Sequence, residues 1–490
     1  MSVFTIESLI ALLGVVLLMV EAFMPGISRR ALGFTAIGGT VIALLLLAFA
    51  GDAQPAFVAP WHRLDSLAFF YKSLALVITA LVLWLTLECA PYLSRFTLDG
   101  KLGEMFSLPL IVCAGMMWMA SARDLVTIFI TLELVTISFY ILVAFARKSA
   151  LSLEAGVKYL ILGALSTGVL VYGIAWIYGA TGTMSLDGIA AALAKPGADK
   201  ASALFGAALL LAGLGFKVAA APFHMWVPDV YQGAPTPVTA YLSVGSKAAG
   251  FIVLTRVVTA FTAEGSSIAS EVNGILLVAG ALTVLLGSLP AIFQQNVKRL
   301  LAYSSISHAG YLVLALACGA GGRFDIGSSG IVAFYLATYL PMTVLGFLAL
   351  AIMRVNGHGE ELRDFQGLAR RSPLLALVIT LAFASLAGLP LTAGFIGKMF
   401  VFLSLADQGH WGALGCAAVA AAAGFYYYFR IILSMYTSAG AEDTPAPALT
   451  LSPITKGVAI ALAAVIVVLG VYPKPLQKVL TPNAAAVVAK

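Results

Sequence analysis

Residues 216–250 read FKVAAAPFHMWVPDVYQGAPTPVTAYLSVGSKAAG and decide the fold of this chain. The stretch places Lys217, His224 and Lys247, together with four prolines, inside an otherwise apolar region. A charged side chain at bilayer depth costs roughly 2.5–3.5 kcal/mol, and proline interrupts a helix because it lacks a backbone N–H. The stretch therefore predicts a broken transmembrane helix that carries buried proton chemistry.

The composition places the whole chain in the membrane. Of its 490 residues 61% are hydrophobic and only 10% are charged, whereas a soluble chain carries about a quarter charged residues. Windows of about 20 apolar residues, the length that crosses the hydrocarbon layer, are centred near residues 13, 40, 78, 112, 135, 167, 212, 250, 281, 309, 341, 387, 424 and 463. We predict an all-α integral membrane protein with about 14 transmembrane helices and no soluble domain.

A second interruption occurs in the apolar run of residues 373–405, which contains Gly388 and Pro390. As one straight helix this run would be about 50 Å long, well beyond the bilayer, so a break at Gly388–Pro390 is expected. Two broken spans in corresponding halves of a chain indicate an inverted-repeat transporter whose site lies near the middle of the membrane.

The loops predict the orientation. Lys and Arg are more frequent on the side of Arg29 and Arg30, so the positive-inside rule places that side in the cytoplasm. Both termini are then expected on the opposite side, and the first span is expected to be retained because no basic residue precedes it. Residues expected in the cytoplasm also include Arg95, Lys101, Arg147, Lys148, Lys298, Arg299 and the segment 354–371. Within that segment, EELRDFQGLARR is expected to form an interfacial helix, with a docking surface for a partner as the alternative.

Several classes of function are excluded. Cys89, Cys113, Cys318 and Cys416 lie in or beside different spans without metal-ligand spacing, so no iron–sulfur, haem or zinc site is expected. Dinucleotide-binding and P-loop motifs are absent from the sequence. The net charge of +6 arises without a basic run, so nucleic acid is not an expected partner.

Four ionisable residues lie deep within predicted spans: Glu133, Lys217, Lys247 and Lys398. Intramembrane ionisable groups usually carry function, and a Glu and a Lys that share a site titrate as a coupled pair. The alternative for Glu133 is an ion pair that only fixes helix packing. Because lysine offers no oxygen to a cation, this set suits protons better than Na⁺ or K⁺.

Other candidates are less deeply placed. Glu154 and Lys158 have the i,i+4 order of a helical ion pair, and snorkelling to the interface is the alternative. Snorkelling is also expected for Lys72. His224 follows the proline break and could pass protons between lysines or to water, while His308 lies among serines in SSISHAGY and could equally be a packing group.

The motifs FKVAAAPFHMWVPDVYQGAPTPVTAYLSVGSKAAGF, QQNVKRLLAYSSISHAGY and GLPLTAGFIGKMF closely resemble the subunit N family of bacterial NADH:quinone oxidoreductase, respiratory complex I. The resemblance covers essentially the whole chain, with GVKYLILGALSTG and YGATGT adding to it. It implies an antiporter-like subunit with two inverted five-helix repeats, each containing a broken helix. The sister subunit M is expected to have a glutamate in place of Lys398, and subunit L a long lateral helix, so subunit N fits best.

The resemblance also implies a division of the chain and roles for its residues. Helices 1–3 would occupy residues 1–103, the two halves residues 104–261 and 271–438, and helix 14 residues 439–490. Glu133 resembles the glutamate of the family's fifth helix, Lys217 the lysine of the seventh, Lys247 that of the eighth and Lys398 that of the twelfth. Glu154, Lys158 and His224 match positions that the family associates with proton transfer.

The expected function is that of a non-redox, proton-translocating subunit. A relay of Glu133, Lys217, Lys247 and Lys398, joined by water, would couple quinone reduction elsewhere to proton pumping across the bacterial inner membrane, with both termini in the periplasm. The chain itself would bind no cofactor: NADH, FMN, iron–sulfur clusters and quinone would belong to partner subunits. The alternatives are a subunit of a multi-subunit Na⁺/H⁺ antiporter or of a membrane-bound hydrogenase, and a structural membrane anchor.

Overall fold

The computed structural model describes residues 2–24, 26–51, 55–97, 100–319, 326–437, 449 and 451–481. These residues form α-helices joined by short loops, and no named strand occurs among them. In chain order the helices are α1 Val3–Phe23, α2 Arg29–Ala48, α3 Ser66–Leu93, α4 Glu104–Ser121, α5 Leu125–Val143, α6 Ala150–Thr181, α7 Leu186–Leu193, α8 Lys200–Val218, α9 Trp226–Gly233, α10 Thr236–Tyr241, α11 Lys247–Phe261, α12 Ala269–Ser288, α13 Val297–Ala317, α14 Gly327–Val355, α15 Leu368–Arg371, α16 Pro373–Ala387, α17 Ala393–Asp407, α18 Trp411–Tyr436, α19 Pro453–Val471 and α20 Lys474–Leu480.

The predicted all-α membrane fold is confirmed. Within the described ranges, thirteen helical segments are long and apolar enough to cross a membrane. One of them joins α10 and α11 through a π-helical turn at Leu242–Ser246. The remaining predicted span, the one centred near residue 387, corresponds to α16 and α17, which are too short to cross individually, with 15 residues each. The boundary predicted between residues 438 and 439 lies outside the described residues.

Both predicted helix breaks are present. Helix α8 ends at Val218 because Ala219 adopts a left-handed conformation (φ +63°), and α9 does not begin until Trp226. Helix α16 ends at Ala387, where Gly388 has φ +97°, a conformation that glycine adopts without steric cost. Each break leaves main-chain carbonyls of the preceding helix without helical partners in the interior of the bundle.

The loops define two ends of the bundle. At the Asp65 end, the amide of Arg63 bonds to the carbonyl of Ser121. At the Glu360 end, the amide of Val297 bonds to the carbonyl of Glu360. Helix α8 starts at the Asp65 end and α16 at the Glu360 end, so the two broken helices run in opposite directions.

Close helix packing sets the position of the first break. Helices α6 and α8 approach each other through Gly173, Gly206 and Gly213, and a Cβ on Gly213 would lie 2.8 Å from the Cβ of Leu170. Such contacts leave no room for a side chain, since protein interiors are close-packed. The glycines therefore hold α8 against α6 one turn before Lys217.

Two expectations at the Glu360 end were wrong. Residues 360–371 do not form one interfacial helix, because Gly367 has φ +69° and separates a 3₁₀ turn at Leu362–Phe365 from α15. Lys298, expected in a cytoplasmic loop, lies in the first turn of α13 and is buried. Its ammonium donates to the carbonyl of Ala234 (2.5 Å), which replaces the water that a loop lysine would bind.

Candidate functional site

Glu133 on α5 and Lys217 on α8 face each other, with 3.6 Å between the Glu133 Oε1 and the Lys217 Nζ. The Lys217 ammonium also donates to the Thr136 hydroxyl (3.0 Å), whose own hydrogen is directed to the carbonyl of Leu132. Thr167 on α6 donates to the same carboxylate oxygen at 2.8 Å. The side chain of Lys217 is 7% exposed and that of Glu133 is 21% exposed, so the carboxylate lies on the outer side of the pair.

Lys247 lies at the start of α11, directly after the π-helical turn, and is fully enclosed by protein. Its ammonium donates to both the carbonyl and the hydroxyl of Ser305 on α13, the latter at 2.6 Å. The same nitrogen lies 5.0 Å from the ring centre of Tyr339, a distance at which an aromatic face attracts a cation. Dipoles and a π-face thus hold this lysine, and no carboxylate of the described residues forms an ion pair with it.

His308 occupies the centre of α13, one turn beyond Ser305. Its Nδ1 is 2.7 Å from the Tyr335 hydroxyl and its Nε2 is 3.2 Å from the Tyr428 hydroxyl. Since a tyrosine hydroxyl can donate or accept, either imidazole tautomer satisfies both bonds. The ring also lies against Tyr339, with 4.9 Å between the ring centres, so one tyrosine contacts both His308 and Lys247.

Lys398 on α17 reaches back across the second break. Its ammonium donates to the carbonyls of Leu386 and Ala387, both at 2.8 Å, at the C-terminus of α16. A helix C-terminus carries partial negative charge and favours a cation. The ring of Tyr311 lies 5.5 Å from the same nitrogen, and Tyr311 also contacts His308 with 6.2 Å between ring centres.

The structure therefore places five of the predicted site residues in two groups: the Glu133–Lys217 pair, and Lys247, His308 and Lys398 around shared tyrosines. Lys217 and Lys247 are not joined by a hydrogen bond, although α11 passes beside the end of α8 at Gly250, where a Cβ would lie 3.5 Å from the Lys217 carbonyl carbon. His308 shares the neighbour Tyr339 with Lys247 and the neighbour Tyr311 with Lys398. The serines beside His308 in the sequence bind Tyr428, Lys247 and Ser288. The hydrogen-bond partners of the His308 ring are tyrosines.

The remaining predicted residues lie elsewhere. Lys158 binds Glu154 and Asp229, each at 2.8 Å, but its side chain is 42% exposed at the Glu360 end. Arg299 on α13 binds the other oxygen of Asp229 at 2.8 Å. His224 lies in the turn between α8 and α9, where its Nδ1 is buried without a hydrogen-bond partner among the described residues.

Two buried clusters were missed in the sequence. Lys298 lies 3.8 Å from Glu360, which Arg354 also binds at 3.2 Å. Lys72, expected to snorkel, is fully buried and binds Glu7 of α1 at 2.5 Å. The signal for the second cluster was Glu7, a carboxylate inside the first apolar span, because an intramembrane carboxylate needs a partner.

A metal site would need several Cys, His, Asp or Glu side chains close together. The cysteines are free and lie apart, and no group of three His, Cys, Asp or Glu side chains suited to a metal occurs among the described residues. Glu133, Lys217, Lys247, His308 and Lys398 instead supply one carboxylate and one imidazole among three lysines, and an ammonium group has no lone pair with which to ligate a metal.

Several known proteins are similar to this chain over most of its length. Residues 122–426 match the family described as NADH:quinone oxidoreductase/Mrp antiporter, TM. A relative from Desulforamulus reducens, named NADH-quinone oxidoreductase subunit N, is 38% identical over 475 residues, which cover 97% of this chain and 96% of the relative.

Two solved structures share the fold over nearly the whole chain. A chain of respiratory complex I from Thermus thermophilus with bound aureothin is 31% identical, with a TM-score of 0.79 and coverage of 97% of this chain and 99% of that chain. A chain of the membrane-bound sulfane sulfur reductase, an archaeal respiratory membrane complex, is 25% identical, with a TM-score of 0.84 and coverage of 98% and 97%.

Proposed function

Since this chain belongs to the subunit N family of NADH-quinone oxidoreductases, we propose that it is the proton-translocating subunit N of such a complex. It works beside other membrane subunits, including related antiporter-like ones, and couples quinone reduction elsewhere in the complex to proton movement. NADH, FMN, iron–sulfur clusters and quinone are bound by partner subunits. The observation that carries the proposal is the row of buried cations that begins at the Glu133–Lys217 pair.

The relay consists of Glu133, Lys217, Lys247 and Lys398, and His308 bridges the last two. Each lysine has a different counterpart: a carboxylate for Lys217, a serine and a tyrosine face for Lys247, and helix carbonyls for Lys398. A proton can therefore reside on any of them without an unpaired buried charge. Water in the broken-helix regions joins groups that do not touch, above all Lys217 and Lys247.

The predicted division into repeats fits the relay. The first half, residues 104–261, starts with α4 and ends with α11, and it contains Glu133, Lys217 and Lys247. The second half, residues 271–438, contains His308 and Lys398. Helices 1–3 precede these halves in residues 1–103, and residues 439–490 follow them.

The proposed location is the bacterial inner membrane, with both termini in the periplasm. The Glu360 end, which carries Arg299, Arg354 and Arg371, then faces the cytoplasm as the positive-inside rule requires. Lys158, Glu154 and Asp229 form a charged patch at that end, which suits the side from which protons are loaded. The Asp65 end is the side of release.

A Na⁺/H⁺ antiporter subunit is the alternative function. Sodium binding requires carboxylate and carbonyl oxygens that converge on one point, whereas the relay interior has three lysines and one carboxylate. Sodium-dependent transport by the isolated complex would favour the alternative. The anchor hypothesis differs because it predicts that the buried charges have no part in transport.

The experiment that tests the proposal is NADH-driven proton uptake into inverted membrane vesicles that carry Lys217→Ala, with assembly checked on native gels. We expect an assembled complex in which proton uptake and quinone reduction both fall sharply. Lys195→Ala, at an exposed loop position, is the control and should behave as wild type. Wild-type uptake by the assembled Lys217→Ala complex would refute the relay and favour the anchor.

A further inference from the structure

A second group of buried ionisable side chains lies on helices that precede both halves. Glu7 of α1, His62 of the loop before α3, and Lys72 of α3 contact one another at the Asp65 end. The Lys72 Nζ is 2.5 Å from Glu7 Oε1 and 3.2 Å from His62 Nε2, which is itself 3.2 Å from Glu7 Oε2. The side chains of Glu7 and Lys72 are 0% exposed.

A purely structural ion pair would need only Glu7 and Lys72. The imidazole adds a third titratable group, and its Nε2 faces two partners with opposite requirements. If Nε2 carries a hydrogen, it donates to Glu7; if it carries a lone pair, it accepts from Lys72. It cannot do both, so the cluster has two hydrogen-bond arrangements that differ in the location of a proton.

The other ring nitrogen of His62 is free to take part. His62 Nδ1 is buried and has no hydrogen-bond partner, although buried polar atoms are satisfied in the great majority of cases. When Nε2 donates to Glu7, Nδ1 holds the lone pair and is the atom at which a proton adds. The imidazolium that forms is then stabilised by the Glu7 carboxylate.

A charged cavity lies at the Asp65 end, and its lining includes Arg63, which directly follows His62 in the chain. The cavity has a volume of about 370 Å³, and Arg63, Asp65 and Arg256 are among its lining residues. Asp65 caps α3 and binds Arg256 through both oxygens, at 3.0 and 3.1 Å. Lys72 follows Asp65 by seven residues on the same helix face, which is about 10 Å along the axis.

Other charged groups in the described part of the chain lie on the helices packed around the cluster. Asp65 and Arg256 act on Lys72 from the capped end of α3, and Tyr71 is buried beside it. Helices α2 and α4 pack against α1 and α3, and their charged residues lie at the opposite end of the bundle, Arg29 and Arg30 on α2 and Glu104 on α4. Helices α11, α14 and α20 also pack against α3, and their charged residues are Lys247 and Arg256 on α11, Arg354 on α14, and Lys474 and Lys478 on α20.

We propose that Glu7, His62 and Lys72 form a further proton-binding site, which exchanges one proton with water through the cavity lined by Arg63, Asp65 and Arg256. On uptake a proton from water forms an N–H bond at His62 Nδ1 and the net charge of the cluster rises by one. On release that bond breaks and the proton returns to water. The role of this site in the complex rests on the proposed proton translocation. Proton binding by the cluster itself does not depend on that proposal.

The first test measures proton binding directly. Infrared difference spectra of the intact complex with isotopically labelled histidine are recorded between about pH 5 and 9, the range in which histidine titrates. We expect wild type minus His62→Gln to isolate the band of one titrating imidazole. Identical spectra for the two complexes would overturn the proposal. If His62→Gln does not assemble, Glu7→Gln/Lys72→Met serves instead and should shift the midpoint of that band, whereas an unshifted midpoint would overturn the proposal.

The second test separates a proton site from a structural ion pair. Glu7→Gln/Lys72→Met removes both charges, and replacing a buried pair with neutral groups usually preserves stability. We expect this complex to assemble and to take up fewer protons per NADH oxidised. Wild-type stoichiometry would show that the pair only supports packing. The control is Lys200→Met/Glu271→Gln, which removes an exposed pair of 2.7 Å at the same end and should leave the stoichiometry unchanged.

The two proposals can fail separately. If the relay is wrong, Lys217→Ala leaves uptake unchanged while the His62 band still titrates. If only the cluster is wrong, the His62 band is absent while Lys217→Ala still abolishes uptake.

Discussion

Removing the charge of Glu133 should uncouple Lys217 from the rest of the relay. The two charged atoms are 3.6 Å apart, and at an effective dielectric constant near 20 their attraction is about 4–5 kcal/mol. Moving one charge against 100 mV requires about 2.3 kcal/mol. The attraction between Glu133 and Lys217 is larger than the energy needed to move one charge against about 100 mV. Without that attraction, in Glu133→Gln, Lys217 should not keep a proton during the cycle. We expect NADH-driven proton uptake to fall at least tenfold.

A graded series makes this prediction sharper. Glu133→Asp keeps the charge but draws it back by about one C–C bond, which lowers the attraction to roughly 3 kcal/mol. Uptake into inverted vesicles should therefore decrease from wild type to Asp to Gln. Glu264→Gln, the same change at an exposed loop position, is the control. Wild-type uptake by an assembled Glu133→Gln complex would refute the electrostatic reasoning.

Three further predictions concern the surroundings of the lysines. Lys398→Gln keeps a donor for the α16 carbonyls, so native gels should show assembly while vesicle assays show lost proton uptake. Tyr339→Phe keeps the ring over Lys247 and should retain most of the uptake, whereas Tyr339→Leu removes the ring and should lose considerably more. Gly213→Ala places a methyl against α6 and should destabilise the complex by about 1–3 kcal/mol in thermal unfolding, while Gly168→Ala, with open space around it, should not.

The sequence was sufficient for the fold because its strongest signals are local. Apolar windows predict membrane helices from length alone. Proline marks a break because it lacks the backbone N–H that continues a helix, and glycine marks one where it adopts the left-handed conformation that ends a helix. The ends of α8 and α16 thus followed from residues 222 and 388–390 without tertiary information. The prediction of an interfacial helix over residues 360–371 was wrong because it followed the apolar pattern and did not treat Gly367 as a break. Gly367 adopts a left-handed conformation and separates the 3₁₀ turn from α15.

The site was less accessible from the sequence, because partners far apart in the chain determine whether a charge is buried. Lys72 and Lys298 both lie near helix ends, and the one-dimensional pattern places such residues in water or at the interface. In the structure, Glu7 and His62 enclose Lys72, and Ala234 and Glu360 enclose Lys298. These contacts span 55 residues or more in most cases, a distance over which hydrophobic periodicity carries no information.

The charge balance along the relay is uneven, and this unevenness bears on how the chain is coupled to its complex. Lys247 and Lys398 are held by hydroxyl, carbonyl and aromatic groups, and among the described residues neither forms an ion pair with a carboxylate. A proton on either lysine is stabilised by these hydrogen-bond acceptors and aromatic faces rather than by an opposite charge. Lys217 alone faces a carboxylate, and that carboxylate is the more exposed partner. A charge that approaches the outer face of α5 therefore acts first on Glu133, and through Glu133 on Lys217. In the proposed relay, the Glu133–Lys217 interaction is therefore the one that an outside charge would change most. For this reason Glu133→Gln tests the coupling more directly than a substitution at Lys398.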